Sequence, residues 1–560
     1  MSIYILNRAE SGYSNSIIFW AMWISSILIM LYFALNQKFK YYFYSMLIFQ
    51  ILVGIIWIWG RYSPLPIGSD AIFESQYAGT IISSGHWDVY AGEGFSKNYY
   101  GYSPLIHMTM ASLSLLTGTD VFVIGKFFPF LERILYFTVM YFILKKMISE
   151  KIAVLATLFI FSSSPLILIH TSRRLLAEPF FLLVLCTLFN QLKYQKIGSD
   201  KKNNVILLIL FTTAVILGHH MTFYFLIFTL FFIFAYLLVQ KLRNKTEILE
   251  SVKSNWLAAL SLFVLFVSGM MVLLYSKILD RDLGRLFESM DALLSVNISS
   301  ADSTISSVGS TSQYPQFYVI MAISFVFLFY LTLLISFIKH IRKTDNYFLT
   351  GWHLSSAFLL FIPAVAILTG TRVGRLFGTV GWGIGAIGMS ILVSKFLWDW
   401  WKSNPRHTRL GLVILVVTLY CGGLLVAYPI QYYVTEDSES AINNQIIFAG
   451  KWLEEQTERN EVIGGDRISF DVISGVNMRY VRYDTNGLFF ASSMVTFQYN
   501  LTEYYDTYLV KLYVVNEVVT RVQAVGFSVV PAENLNKFNE MYGLNKIYSN
   551  NEVHIYYIHS

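Results

Sequence analysis

The stretch VILLILFTTAVILGHHMTFYFLIFTLFFIFAYLLVQ, Val205–Gln240, contains no Asp, Glu, Lys or Arg and breaks only at Gly218-His219-His220. An uncharged apolar run of this length, folded back at one turn, reads as a helical hairpin in lipid. A single crossing of a ~30 Å hydrocarbon core takes ~20 helical residues. Comparable runs lie at roughly 16–35, 41–60, 121–144, 152–170, 175–192, 256–276, 316–338, 347–369, 376–396 and 410–430. With the two halves of the hairpin, 204–218 and 221–240, they predict about 12 transmembrane helices. The composition of the 560-residue chain agrees. It is 55% apolar, 17% aromatic and only 14% charged, against roughly 25% charged in an average soluble protein. Such a chain cannot cover a globular surface with polar groups. A soluble enzyme, a disordered chain and a nucleic-acid partner are excluded. The N-terminus lacks a basic stretch and a small-residue cleavage site, so the first apolar run reads as retained.

Charge fixes the orientation. The +6 net charge divides into +13 over residues 1–430 and −7 over 431–560, where nine basic residues face sixteen acidic ones. Basic clusters follow every second apolar run: Lys38 and Lys40; Lys145, Lys146 and Lys151; Lys193, Lys196, Lys201 and Lys202; Lys241, Arg243 and Lys245; Lys339, Arg342 and Lys343; Lys395, Lys402 and Arg406. By the positive-inside rule these loops define the cytoplasmic face. The alternation holds if the shorter run Pro104–Thr117 does not cross, which makes it a re-entrant or interfacial helix in the first outer loop, 61–120. The expected fold is a membrane all-α domain, 1–430, followed by a small extracytoplasmic α/β domain, 431–560. In the latter, Ala441–Gln456 is helix-like, and Glu461–Gly465, Tyr508–Val515 and Val553–Ile558 are strand-like. Lys546–Tyr557 predicts a β-hairpin closing a sheet. Asn297-Ile298-Ser299 and Asn500-Leu501-Thr502 are glycosylation sequons on the outer side. Cys186 and Cys421 lie in apolar runs and leave the redox compartment unread.

The polar residues that remain at membrane level are the candidate site, because an ionisable group there is expensive to keep. Asp70 and Glu74 are i,i+4 in Gly68-Ser69-Asp70-Ala71-Ile72-Phe73-Glu74, so a helix beginning there carries both carboxylates on one face. That pair suits a general base with a supporting or cation-binding partner, or a capped, solvated loop helix. His86 and Tyr102 flank an aromatic, glycine-rich stretch. Its tyrosines suit either a headgroup belt or stacking on sugar. Arg173 and Arg174 end an outward-going run where the charge rule disfavours them. They read as phosphate ligands, with an i,i+4 salt bridge from Arg174 to Glu178 as the alternative. Arg372 and Arg375 repeat the anomaly beside glycine. His219 and His220, at the hairpin tip, suit phosphate binding when protonated or metal binding when neutral. The metal itself is left unknown. No Walker loop, HExxH, GxSxG or CxxC element occurs, so neither nucleotide hydrolysis nor zinc proteolysis is suggested.

These motifs, in this order, resemble the GT-C superfamily of polytopic glycosyltransferases. The resemblance rests on Ser69-Asp70 with Glu74, Ser84-Gly85-His86-Trp87-Asp88 and Tyr100-Gly101-Tyr102-Ser103-Pro104-Leu105. The last is similar to the Tyr-x-Tyr-x-Pro-Leu element of arabinose- and mannose-transferring members. It continues through Leu116-Thr117-Gly118, Lys126-Phe127-Phe128-Pro129, Ser164-Pro165 and Arg173-Arg174-Leu175-Leu176-Ala177-Glu178-Pro179. It covers roughly residues 40–240 by motif and the remainder by architecture, including a tail like that of archaeal members. The resemblance implies a polyprenyl-phosphate-linked sugar donor, a glycan, lipid or protein acceptor, and hexosyl or pentosyl transfer on the non-cytoplasmic side. It implies Asp70 as the base, Arg173 or Arg174 on the donor phosphate, and Glu178 supporting the site or a cation. No cofactor is demanded, and the acidic residues leave room for a divalent cation. Ala71 stands where many members place Glu directly after the Asp. His219-His220 stands where several have Lys, and an extra span precedes the acidic loop. A transporter or flippase, and a polymerase or ligase of lipid-linked glycans, are the alternatives.

Overall fold

A computed structural model describes residues 17–59, 66, 69–87, 103–163, 173–194, 199–244, 256–275, 279–280, 283–284, 331–338, 347–368, 372–403, 444–458, 461–465, 481–483, 507–511, 514–515, 518–523, 526–530, 544–549 and 553–558. The expected span at 410–430 and both outer sequons lie outside these residues.

The helices in chain order are α1 (Ile17–Leu35), α2 (Phe39–Trp59), α3 (Ser69–Ser84), α4 (Pro104–Thr117), α5 (Val121–Met147), α6 (Glu150–Ser163), α7 (Arg173–Tyr194), α8 (Ser199–Gly218), α9 (His220–Asn244), α10 (Trp256–Tyr275), α11 (Tyr347–Leu368) and α12 (Arg372–Ser403). Residues 331–338 are helical as well. Val121–Met147 and His220–Gln240 are long and apolar enough to cross a membrane by length and composition. Ser25–Leu35, Pro104–Thr117, Leu176–Leu192, Lys202–Gly218 and Leu260–Leu274 are shorter apolar helices.

Among the described residues, several helix exteriors are apolar and several charges are interior. Leu28, Ile48, Leu210, Phe231, Phe263 and Met271 are exposed on helix exteriors, while Glu74, Glu132, Arg133, Arg173 and Glu178 are buried. Helices facing lipid would show this arrangement, because an interior position lets a charge find a partner. Arg133 of α5 shows how. Its Nε donates to Gln50 Oε1 of α2 at 2.5 Å, and its guanidinium lies 5.4 Å from the Phe137 ring centroid.

The segment expected to form the first outer loop contains two helices among the described residues. α3 and α4 pack on each other, and both pack on α5. α4 begins with Pro104, whose missing N–H costs nothing at a first helical position. It ends at Gly118 in the left-handed region, φ 65°. Two residues later Asp120 caps α5, its Oδ1 accepting from Phe122 N at 2.8 Å and Val123 N at 3.3 Å. Ile106, His107 and Met110 of α4 are buried, whereas Met108, Leu115 and Leu116 are exposed. One face therefore docks and the other is left open. Deeper in, α7 packs on α5 and α8, α6 on α5 and α12, and α9 on α11. Thr229 Oγ1 and Ser355 Oγ share a buried hydrogen bond of 3.0 Å across the α9–α11 contact.

In the tail, α13 (Asn444–Gln456) precedes strands β1 (Ile463–Gly465), β2 (Val481–Tyr483), β3 (Thr507–Lys511), β4 (Val514–Val515), β5 (Val518–Gln523), β6 (Gly526–Val530), β7 (Leu544–Ser549) and β8 (Val553–Ile558). Five form a mixed sheet ordered β2-β1-β3-β8-β7. β1 is parallel to β2 and β3, and β8 is antiparallel to β3 and β7. The hairpin expected at Lys546–Tyr557 is the β7–β8 pair at the edge of that sheet. The remaining three form an antiparallel sheet, β4-β5-β6.

Candidate active site

Glu74 sits in the second turn of α3 and is almost fully buried. A carboxylate in that position needs partners, and two other helices supply them. His107 of α4 donates from Nε2 to Glu74 Oε2. Arg173, the first residue of α7, reaches Glu74 Oε1 through Nε at 2.6 Å. A carboxylate only accepts, so the His107 hydrogen resides on Nε2. Tyr77, one turn after Glu74, stacks on the His107 ring at 5.3 Å and 27°. Burial and the Glu74 charge push the Tyr77 phenol up, with Arg173 opposing.

Arg174 turns to its own helix. Its Nε lies 2.5 Å from Glu178 Oε1, so the i,i+4 ion pair weighed as the alternative for this residue is present. Glu178 is fully buried, and the Tyr136 hydroxyl of α5 lies against it. The other wall is α12. A Cβ placed on Gly383 would lie 1.5 Å from Arg174 Nη2 and 3.0 Å from Glu178 Oε1, so the guanidinium occupies the volume that any other residue would fill. We expect Gly383→Ala to destabilise the fold by about 1–3 kcal/mol through overpacking. The same substitution on an Arg174→Ala background is expected to be nearly neutral. Thermal unfolding of the four proteins in the cycle measures both.

The α8–α9 turn closes the cluster. Gly218 approaches α7 closely, its notional Cβ 3.0 Å from Ala177 Cβ. This contact brings His219 and His220 beside the arginines. His219 Nδ1 accepts from the Thr222 backbone N–H at 3.3 Å and meets Thr222 Oγ1 at 2.9 Å, a side-chain cap on α9. Its ring proton is therefore on Nε2. Burial, then the neighbouring His220, Arg173 and Arg174, push the His219 imidazole well below its usual range. These surroundings favour the neutral imidazole. The His220 ring lies 5.2 Å from it.

The sequence-predicted residues fall into three groups. Glu74, Arg173, Arg174, Glu178, His219 and His220 are brought together. Asp70 lies in the first turn of α3, one turn before Glu74, and Arg372 and Arg375 lie in the first turn of α12. The side chains of these three, and the whole of Tyr102, are outside the described residues. His86 is exposed beyond α3, where Nδ1 meets the Ser84 carbonyl at 3.0 Å. It closes the helix end and does not reach the buried cluster. The sequence reading missed His107, Tyr77, Tyr136 and Gly383. A histidine inside the otherwise apolar Pro104–Thr117 helix was the available signal for His107. Among the described residues, no three His, Cys, Asp or Glu side chains converge to hold a metal ion. Both Glu74 oxygens accept from His107 and Arg173.

Residues 90–282, about a third of the chain, match the family described as dolichyl-phosphate-mannose-protein mannosyltransferase. No curated protein matches the chain by sequence. Among solved structures, the chain is similar to the archaeal oligosaccharyltransferase AglB of Archaeoglobus fulgidus in complex with an inhibitory peptide and a dolichol-phosphate. The identity is 12%, covering 84% of this chain and 69% of that one, with a TM-score of 0.54. The same enzyme tethered to an acceptor peptide matches at 13% identity, with 84% and 69% covered and a TM-score of 0.52. ArnT of Cupriavidus metallidurans bound to undecaprenyl phosphate covers 91% and 98% at 10% identity, with a TM-score of 0.48. The resemblance to GT-C glycosyltransferases holds at the level of fold.

Proposed function

We propose that this chain is a multi-pass membrane glycosyltransferase. It moves a sugar from a polyprenyl-phosphate-linked donor to an acceptor hydroxyl on the extracytoplasmic side, with inversion. The observation that carries this reading is the convergence of Glu74, His107, Arg173, Arg174, Glu178 and the histidine turn at one end of α7, in a fold shared with an enzyme solved with dolichol-phosphate. Asp70 takes the acceptor proton. The acceptor oxygen attacks the anomeric carbon, the carbon–phosphate-oxygen bond breaks, and polyprenyl phosphate leaves with the electron pair. Arg173 and Arg174 each engage a carboxylate through Nε, and a guanidinium carries five N–H donors. Pairing therefore orients these groups without exhausting them. Together with Arg372 and Arg375 they supply the positive field that stabilises a departing phosphate, usually the largest catalytic term. A cation is not needed for that role. The about twelve spans, the cytoplasmic basic loops and an outer domain at 431–560 belong to the same proposal.

Transport or flipping of a lipid-linked glycan is the second reading. It calls for polar groups strung along a pathway, whereas these converge on one cluster. Purified protein is to be incubated with polyprenyl-phosphate-linked sugars and with glycan, lipid and peptide acceptors. Mass spectrometry is expected to detect polyprenyl phosphate and a glycosylated acceptor in equal amounts. Movement of donor between leaflets of a liposome with no acceptor modified would overturn the proposal. Lipid-linked glycans of a deletion strain identify the sugar.

A further inference from the structure

A second polar cluster lies at the opposite end of the bundle from the arginines. Lys151 is the second residue of α6 and Lys402 lies in the last turn of α12, and these helices pack together. Their ammonium nitrogens lie 5.4 Å and 5.8 Å from the centroid of one indole, that of Trp398. The two charges are therefore at most about 11 Å apart. Among the described residues neither meets a carboxylate. Of the acids nearest in sequence, Asp399, three residues before Lys402, makes no ion pair among the described residues, and Glu150, beside Lys151, is engaged elsewhere. Its Oε1 takes Lys145 Nζ at 2.5 Å and the Tyr141 hydroxyl at 2.7 Å. Residues 145–151 and 395–402 together hold five lysines and two acids.

We propose that this corner is a headgroup site for an anionic phospholipid. Trp398 is buried and provides a flat floor. Two ammonium groups drawn to one ring repel each other unless an anion lies between them, and a phosphodiester supplies that charge. The depth suits the ligand, because tryptophan and lysine both settle at the headgroup level. A basic pocket between spanning helices is a site that lipid phosphates fill. This site is independent of the proposed transfer reaction.

The full chain is to be placed in nanodiscs of phosphatidylcholine, with and without phosphatidylglycerol, and its retained lipids counted by native mass spectrometry. Phosphatidylglycerol is expected to be retained over phosphatidylcholine. Lys151→Gln and Lys402→Gln are each expected to weaken that retention about fivefold. Lys151→Arg with Lys402→Arg is expected to keep it. Equal retention of the two lipids by the unmodified protein would overturn the site, whether or not the glutamine variants fold. So would unchanged selectivity in the folded glutamine variants. Displacement of the bound lipid by polyprenyl phosphate at equal concentration would assign the corner to the carrier lipid and sink the phospholipid reading.

Discussion

Glu74→Ala is expected to destabilise the protein by about 3–5 kcal/mol, the range for removing one partner of a buried ion pair. The loss is large because it falls on two helices together. Arg173, almost fully buried, keeps its charge without the carboxylate at 2.6 Å. His107, fully buried on α4, loses the acceptor of its Nε2 hydrogen. Glu74→Gln retains an oxygen for His107 but offers Arg173 no charge, so it falls between. The cause can be separated from simple loss of volume. Glu74→Ala with Arg173→Met removes both charges, and replacing a buried pair by apolar groups is often close to neutral. The double variant should therefore unfold well above Glu74→Ala in a thermal or denaturant melt in detergent. If the double variant is no more stable than Glu74→Ala, the ion pair is not what holds α3 to α7.

Asp70→Asn carries the second large effect, on rate instead of stability. General base catalysis contributes typically 10²–10⁴-fold, so turnover should fall by about that factor. The melt and the donor affinity should stay near those of the unmodified protein. The assignment follows from the division of labour along α3. Glu74 is occupied on both oxygens, which leaves the carboxylate one turn earlier to accept a proton. Transfer measured by mass spectrometry with saturating donor decides it. A rate within a fewfold of the unmodified protein would remove Asp70 as the base.

The sequence made the helices legible because apolar runs of spanning length have few other uses. It pointed to the buried cluster to the extent that charges disobeyed the positive-inside rule. Arg173, Arg174 and His219 stood out for that reason, and the structure brings them together. The partners of those charges were far less visible. His107 is 33 residues from Glu74 and reads locally as one polar residue on an amphipathic helix. Gly383 is one of several glycines in α12. Nothing in its neighbours tells that an arginine from α7 fills its missing side chain. Of the two roles open to His219, its surroundings favour the neutral imidazole for a physical reason. A histidine at a turn beside two arginines looks like a third cation, yet burial and those same charges disfavour the protonated ring.

The bridge through Glu74 also sets an order of assembly. Glu74 leaves the ribosome 99 residues before Arg173. At roughly 5–20 residues per second that is an interval of about 5–20 s. Throughout it, α3 carries a carboxylate whose Arg173 counter-charge has not yet been made. His107 arrives a third of the way through. Its Nε2 hydrogen can partner the carboxylate before Arg173 is made, so the α3–α4 contact can form ahead of the ion pair to α7.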